Sequence, residues 1–203
     1  MKLYGSLTSP FVRVVRMAAV ELGLGEQVAL TPTIVRPTEP NRDFGASVNP
    51  LRRVPALETD DGDVIIDSRV IVEFLNGVAG GDLIPRGGAA RIDCLNRQAV
   101  VSGAIEALVS AMYETRLRPE GKRWPEWTAD QFDKAHAALD WVEARADQFA
   151  KQWDFAAISL IALVDYARFR FPAEEWLRAR PRLAAFIETS AKKESVAATT
   201  PRE

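Results

Sequence analysis

The stretch Val54-Pro55-Ala56-Leu57-Glu58-Thr59-Asp60-Asp61-Gly62-Asp63-Val64-Ile65-Ile66-Asp67-Ser68 decides how the first part of the chain folds. Ala56–Thr59 and Val64–Ile66 are short strand-like runs separated by an Asp-Gly turn signal. Glycine and aspartate tolerate the backbone angles of a tight hairpin, so the two runs are expected as antiparallel strands. Asp67 or Ser68 then caps a helix with Val70, Ile71, Phe74 and Leu75 on its buried side. Upstream, Lys2–Tyr4 reads as a strand and Pro10–Leu22 as a helix, with Val12, Val15, Ala19 and Leu22 at helical spacing. Ser9 suits the N-cap of that helix, Pro10 its first position and Gly23 the residue past its end. Val28–Leu30 reads as another strand, and Pro32, Pro37, Pro40 and Pro50 then leave space for a turn or two of helix at most. The order βαβ, then ββα, predicts a small four-stranded mixed sheet covered by helices.

The composition changes after this. Gly77 to Gly88 holds five glycines and Pro85, which marks a linker. No convincing strand follows. Ile92, Leu95, Ala99, Val101, Ile105, Leu108 and Met112 predict a long helix, and Phe132, Ala135, Leu139, Val142 and Ala146 a second. Asp154 opens a segment, Phe155–Phe169, that is apolar nearly all round and suits the central helix of a bundle. Pro172 ends it, Trp176–Ile187 supplies a helical stretch interrupted by Pro181, and a small polar tail runs from Ala191 to a last turn at Pro201. The expected organisation is an α/β domain over 1–77, a linker over 78–88 and an all-α helical bundle over 89–203.

Composition narrows the chemistry. The 203 residues carry 26 Lys+Arg against 28 Asp+Glu, a balance that argues against a nucleic-acid binder. Cys94 and His136 stand alone in their types, which excludes an internal disulfide and a Cys/His zinc site. No apolar run spans a membrane and no signal-peptide core follows Met1, so a soluble, cytoplasmic protein without a metal is expected. Cys94 reads as a core or interface residue and His136 as a helix-surface residue. Chemistry is left to hydroxyls, carboxylates, arginines or a thiol brought by a ligand.

Candidate groups for that chemistry lie mostly in the first part of the chain. Ser9 by its position reads first as a helix cap; its functional reading is a hydroxyl at a place where free amides and the helix dipole favour a thiolate. Val54 ahead of Pro55 presents its backbone to an extended peptide if that bond is cis. Asp67 and Ser68 cap a helix and also suit an amino-acid head group, the carboxylate of Asp67 for its ammonium and the Ser68 hydroxyl with helix amides for its carboxylate. Arg52 and Arg53 read as solvated charges or as a site for a second carboxylate.

Ser9-Pro10-Phe11-Val12-Arg13, Asn49-Pro50, Val54-Pro55-Ala56-Leu57 and Asp67-Ser68, in this order and spacing, resemble the glutathione-binding thioredoxin-fold domain of the glutathione S-transferases. Asp165-Tyr166-Ala167-Arg168-Phe169-Arg170-Phe171-Pro172, Trp176 and Arg180-Pro181 are similar to the end of the helical domain in bacterial members. The resemblance covers nearly the whole chain and implies a Ser-type enzyme. It implies Ser9 beside the glutathione sulfur, Val54 pairing with the cysteinyl unit ahead of a cis Pro55, and Asp67 and Ser68 on the γ-glutamyl head. Arg52, Arg53 or Arg36 is then the group nearest the glycyl carboxylate or solvent. Ser6 and Thr8 are alternative hydroxyls, and Tyr4 ranks below Ser9. Leu7, Phe11, Tyr113 and Trp124 are candidates for the implied lining of a pocket for a small hydrophobic electrophile, although aromatics at helical spacing more often read as core, and a homodimer is the implied assembly. One departure stands out: Asp154 takes the cap position of the central helix, but Ala157 replaces the acidic residue that would complete a capping box. Alternatives to conjugation are a glutathione-dependent isomerase or reductase, or a non-catalytic glutathione-binding or protein-interaction module.

Overall fold

A computed structural model of the chain describes residues 1–202. Leu3 stands at the centre of a four-stranded sheet of order β2-β1-β3-β4. Strand β1 (Lys2–Gly5) pairs in parallel with β2 (Ala29–Pro32), Leu3 opposite Leu30, and antiparallel with β3 (Ala56–Glu58), Leu3 opposite Leu57. β3 pairs antiparallel with β4 (Val64–Ile65) through the expected hairpin, where Gly62 has φ +90°, a conformation without steric cost only for glycine. Leu3 and Leu57 are wholly buried, while the neighbouring pair Lys2 and Glu58 forms an ion pair at 2.7 Å on the other face. This is the two-residue alternation of a half-buried strand. β2 lies slightly later than the expected 28–30.

Helix α1 (Pro10–Glu21) follows β1 closely. A Cβ on Gly5 would stand 2.5 Å from Val12 Cγ2, so only glycine lets the strand and helix approach this far. A short helix α2 (Arg42–Ser47), capped by Asn41, fills the proline-rich stretch, and α3 (Ser68–Val78) packs against α1. Val12, Val15, Met17, Ile71, Val72 and Leu75 form the core between them. Val70, expected on the buried side, is 51% exposed. It lies roughly 100° around the helix from Ile71, outside the stripe of residues 68, 71, 72 and 75.

The second unit, Pro85–Lys192, contains α4 (Gly88–Arg116), α5 (Pro125–Glu143), α6 (Ala146–Lys151), α7 (Phe155–Arg170) and α8 (Pro181–Ser190). As its composition predicts, α7 is the core: Phe155 to Val164 are all buried, and α4 packs along it. The buried stripe of α4 runs through Cys94, Gln98, Val101, Ile105 and Leu108, whereas Ile92 and Ala99 are exposed. The second predicted helix divides at Arg145 into α5 and α6. Trp176 is also not helical. The residue before a proline is biased away from the α region, so α8 begins at Pro181 rather than running through it, and Ala179 takes φ +59°. The buried Trp176 anchors this turn, donating to the Phe171 carbonyl at 3.1 Å, while Arg180 donates to the carbonyls of Trp176 and His136 and to Asp140.

The largest difference from expectation is at the C-terminus. The first unit runs from Met1 to Ile84 and takes back the segment from Lys193 onward, which forms α9 (Glu194–Ala197). Ser195, Val196 and Thr199 are buried, and α9 packs on α1. Small polar residues read as tail-like in sequence, but each of these hydroxyls is paired. The proposed boundaries 1–77, 78–88 and 89–203 therefore leave out this return of the chain.

One buried ion pair organises the second unit. Asp154, wholly buried, caps α7 by accepting the Ala157 amide at 3.0 Å and holds Arg97 of α4 at 2.6 Å. Arg97 also reaches Asp93 at 2.8 Å and lies over the Phe149 ring. The carboxylate that caps the helix is thus also the counter-ion of a buried arginine, a role separate from the missing half of the capping box. Removing one member of a buried pair strands the other charge. Asp154→Ala is expected to destabilise the second unit by ~3–5 kcal/mol in urea unfolding, and Asp93→Ala, which removes an exposed carboxylate, by under ~1 kcal/mol.

Candidate functional site

Sheet register brings three separated segments to one end. β1 leaves the sheet after Gly5, β3 enters it at Ala56 opposite Tyr4, and β4 leaves it after Ile65 opposite Leu57. The turn Ser6–Ser9, the dipeptide Val54-Pro55 and the pair Asp67-Ser68 therefore lie at the same end of the sheet, where α1 and α3 both begin.

Ser9 closes the first turn, its N–H donating to the Ser6 carbonyl at 3.2 Å. It is the N-cap of α1, extended at φ −79° and ψ 123°, and its Oγ accepts from the Val12 amide at 3.3 Å. A hydroxyl has two acceptor sites and one donor, so capping leaves its proton available for a nearby anion. The other candidate hydroxyls are engaged differently. Ser6 Oγ and Thr8 Oγ1 are 3.2 Å apart and pair with each other. Tyr4 Oη donates to Glu58 Oε2 at 2.6 Å, a bond that raises the phenol pKa and directs it along the sheet.

The Val54–Pro55 peptide bond is cis, and Ile66–Asp67 is cis as well. Among the described residues, neither the N–H nor the C=O of Val54 takes part in a backbone hydrogen bond. Its backbone has the polarity of an open strand edge. Asn49, which sequence reasoning quoted only as part of a motif, shapes this loop. Its buried amide donates to the Arg53 carbonyl at 2.8 Å and accepts from the Leu51 amide at 3.0 Å. Arg52 takes φ +51° with its stem against Gly45 of α2, and both Arg52 and Arg53 are exposed. Arg36 pairs with Glu39 at 3.2 Å. Asp67 caps α3 by accepting the Arg69 amide at 2.9 Å and is otherwise exposed, while Ser68 is buried beside it.

Leu7 and Phe11 are half-buried, in the turn before α1 and in its first helical turn. In the second unit Tyr113 is half-buried on α4, and Trp124 is 62% exposed at the start of α5, its amide donating to Glu114 at 2.9 Å. Trp124 is thus a surface ring and not core. His136 is built into a cluster that its spacing did not reveal. Its ring stacks on Trp176 at 4.6 Å, Nδ1 lies 3.4 Å from Arg180, and Nε2 lies 3.9 Å from Glu174. The signal was the Trp176…Arg180-Pro181 turn, which returns to α5. Among the described residues, no group of three or more His, Cys, Asp and Glu is placed to hold a metal. No described helix is long and apolar enough to cross a membrane.

Residues 3–82 match the glutathione S-transferase N-terminal domain and residues 125–189 the glutathione S-transferase C-terminal domain. The chain belongs to the glutathione S-transferase family. Its α/β unit is the thioredoxin-like domain of that fold and its helical unit the C-terminal domain, as the motif order implies. An uncharacterized GST-like protein of Escherichia coli strain K12, YibF, is 30% identical over 207 residues, covering 99% of this chain and 98% of the relative. A glutathione transferase family member from Pseudomonas fluorescens Pf-5, solved with bound glutathione, is 37% identical with a TM-score of 0.96, covering 100% of this chain and 99% of that one. A structure of a glutathione transferase family member from Pseudomonas fluorescens Pf-5 with bound S-(propanoic acid)-glutathione is 36% identical with a TM-score of 0.92, both chains being covered in full.

Cys94 is wholly buried on α4, and burial, with the Asp154 charge adding to it, pushes its thiol pKa up to about 11. The folded chain therefore favours the thiol form. Its contribution to stability is complete below the unfolded pKa of 9.0 and is lost as pH rises toward about 11. Iodoacetamide at pH 8 is expected to leave native Cys94 unmodified and to alkylate it in urea; rapid native alkylation would contradict its burial.

Proposed function

We propose that the chain is a glutathione transferase that binds glutathione at the shared end of the sheet, stabilises its thiolate through Ser9 and adds the sulfur to a small hydrophobic electrophile. The observation that carries this reading is the capping geometry of Ser9: its oxygen serves the Val12 amide and its proton remains available at the positive end of α1. The open backbone of Val54 ahead of cis Pro55 supports an antiparallel pairing with the cysteinyl unit. Asp67 at the start of α3 is suited to the γ-glutamyl ammonium, and the Ser68 hydroxyl and amides of α3 to its carboxylate. Arg52 or Arg53 faces the glycyl carboxylate or solvent, Arg36 less so because Glu39 holds it. The glutathione and S-substituted glutathione bound by the Pseudomonas relative support the same ligand class here.

Magnitudes favour the assignment. A free thiol of pKa ~8.5 is about 3% thiolate at pH 7. Lowering that value by ~2 units makes most of it nucleophilic and takes about 2.7 kcal/mol. A hydrogen bond to a charged group supplies ~1.5–3 kcal/mol, and the helix dipole adds ~0.3–1 kcal/mol. Ser9 donates and does not attack. A serine here also deprives a mixed-disulfide mechanism of its nucleophile. Leu7, Phe11, Tyr113 and Trp124 are the proposed electrophile contacts, and a cytoplasmic homodimer is the proposed state, supported by exposed apolar side chains at Leu51, Val70 and Ile92.

Ser9→Ala is expected to raise the bound-thiol pKa by ~1–2 units and lower kcat/KM near pH 7 by about 10–100-fold across aryl-halide and unsaturated-carbonyl electrophiles. Ser9→Gly, which costs the cap only a few tenths of a kcal/mol, should do the same, separating the hydroxyl from helix stability. Unchanged thiol pKa and turnover would remove Ser9 from its role. Absence of glutathione binding at ~1 mM would remove the enzymatic reading altogether. Asp67→Ala is expected to weaken glutathione binding by about 10-fold or more in calorimetry while leaving the thiol pKa in place.

A further inference from the structure

The C-terminal segment grips one side of α1 from its first turn to its last residue. Thr199 Oγ1 accepts from Arg13 Nε and the Val196 carbonyl from Arg13 Nη2, each at 3.4 Å. Farther along, Arg16 donates to the Ala198 carbonyl at 3.3 Å, and Ser195 Oγ donates to Glu21 at 2.5 Å. Thr199 Oγ1 also donates to the Ser195 carbonyl at 2.6 Å, which closes the turn on itself. Arg13, Ser195 and Thr199 are only 1–2% exposed.

We propose that the segment from Lys193 is a strap that sets the position of α1, and with it of Ser9, with Arg13 as the positioning residue through which it acts. Arg13 stands four residues after Ser9, and its own amide donates to the Ser9 carbonyl at 3.0 Å. That bond closes the first turn of the helix, about 6 Å along its axis, so a displacement of Arg13 is transmitted to the cap. Arginine suits the task. Its fork engages a hydroxyl and a carbonyl together from a fixed plane, whereas lysine would bring a single rotating ammonium. A guanidinium buried under the segment depends on the partners that the segment supplies, so losing one of them while Arg13 stays covered leaves a buried donor unpaired. The charge of Arg13 also adds to the positive potential at the start of α1. The strap stands on these contacts alone; its effect on catalysis rests on the role proposed above for Ser9.

Thr199→Val removes the hydroxyl at the centre of the grip and keeps its volume, and Ser195→Ala loosens the far end more gently. In both, hydrogen exchange at the Arg13, Val14 and Val15 amides should accelerate by about 5–10-fold, while Ile71–Leu75 amides of α3 keep their rates. The bound-glutathione thiol pKa, read by ultraviolet thiolate absorbance, should rise by about half a unit in Thr199→Val. It should not rise further when Thr199→Val is added to Ser9→Ala, because both act through one hydroxyl. Arg13→Lys, which keeps the charge without the fork, should match Thr199→Val in exchange. Unchanged α1 exchange, or equal acceleration of α1 and α3, would overturn the strap. Faster α1 exchange with an unchanged thiol pKa would overturn its positioning role, provided Ser9→Ala alone shifts that pKa. If Ser9→Ala shifts nothing, the Ser9 reading falls and the exchange rates alone decide the strap.

Discussion

The amides in the first turn of α1 have no carbonyl ahead of them in the helix, and the end of the thioredoxin-like sheet where α1 and α3 begin is arranged around that constraint. Ser9 satisfies Val12 from outside the helix, which requires the chain to turn sharply between Gly5 and Pro10. The turn in turn requires strand and helix to meet with no side chain between them, and Gly5 against Val12 provides that contact. α3 faces the same constraint and Asp67 meets it in the same way. Register then carries both helix starts, with the Val54 backbone, to one end of the sheet. The proposed ligand, with its thiolate, peptide backbone and amino-acid head group, would find a complementary partner for each.

Much of this was legible in the residues, because the signals are local. Asp61-Gly62 specifies the hairpin, Ser9-Pro10 and Asp67-Ser68 mark helix starts, and the uniform apolarity of 155–169 marks the bundle's centre. What escaped depends on contacts distant in sequence. Arg13 reads as a polar residue on an apolar helix until Val196 and Thr199, more than 180 positions away, come to meet it. Arg97 and Asp154 stand 57 positions apart, and the face of α4 that carries Arg97 inward leaves Ile92 and Ala99 outward. Trp176 and Pro181 sit at helical spacing from their neighbours, yet the stacked His136 and the carbonyls bound by Arg180 favour an irregular turn. Sequence periodicity reports which face of an element is apolar and not which polar group finds a partner.

The two units carry different burdens. In the proposed function the first binds by backbone edges and helix ends, features that need few particular side chains beyond Ser9, Val54, Pro55 and Asp67. The second is stabilised by α7, whose capping aspartate is held by an arginine on the neighbouring α4. A protein with one buried cysteine and one histidine has little reactive chemistry of its own, and a sulfur delivered by the ligand removes the need for it.

The most direct measurement is the number of protons released when glutathione binds, obtained by calorimetry at pH 7 in buffers of different ionisation enthalpy. Free glutathione enters with its thiol about 97% protonated, and a bound thiol lowered by ~2 units is about three-quarters ionised. Thiolate stabilisation therefore predicts release of about 0.7 proton per glutathione, falling sharply in Ser9→Ala. Binding with no net release at pH 7 would contradict thiolate activation by this chain.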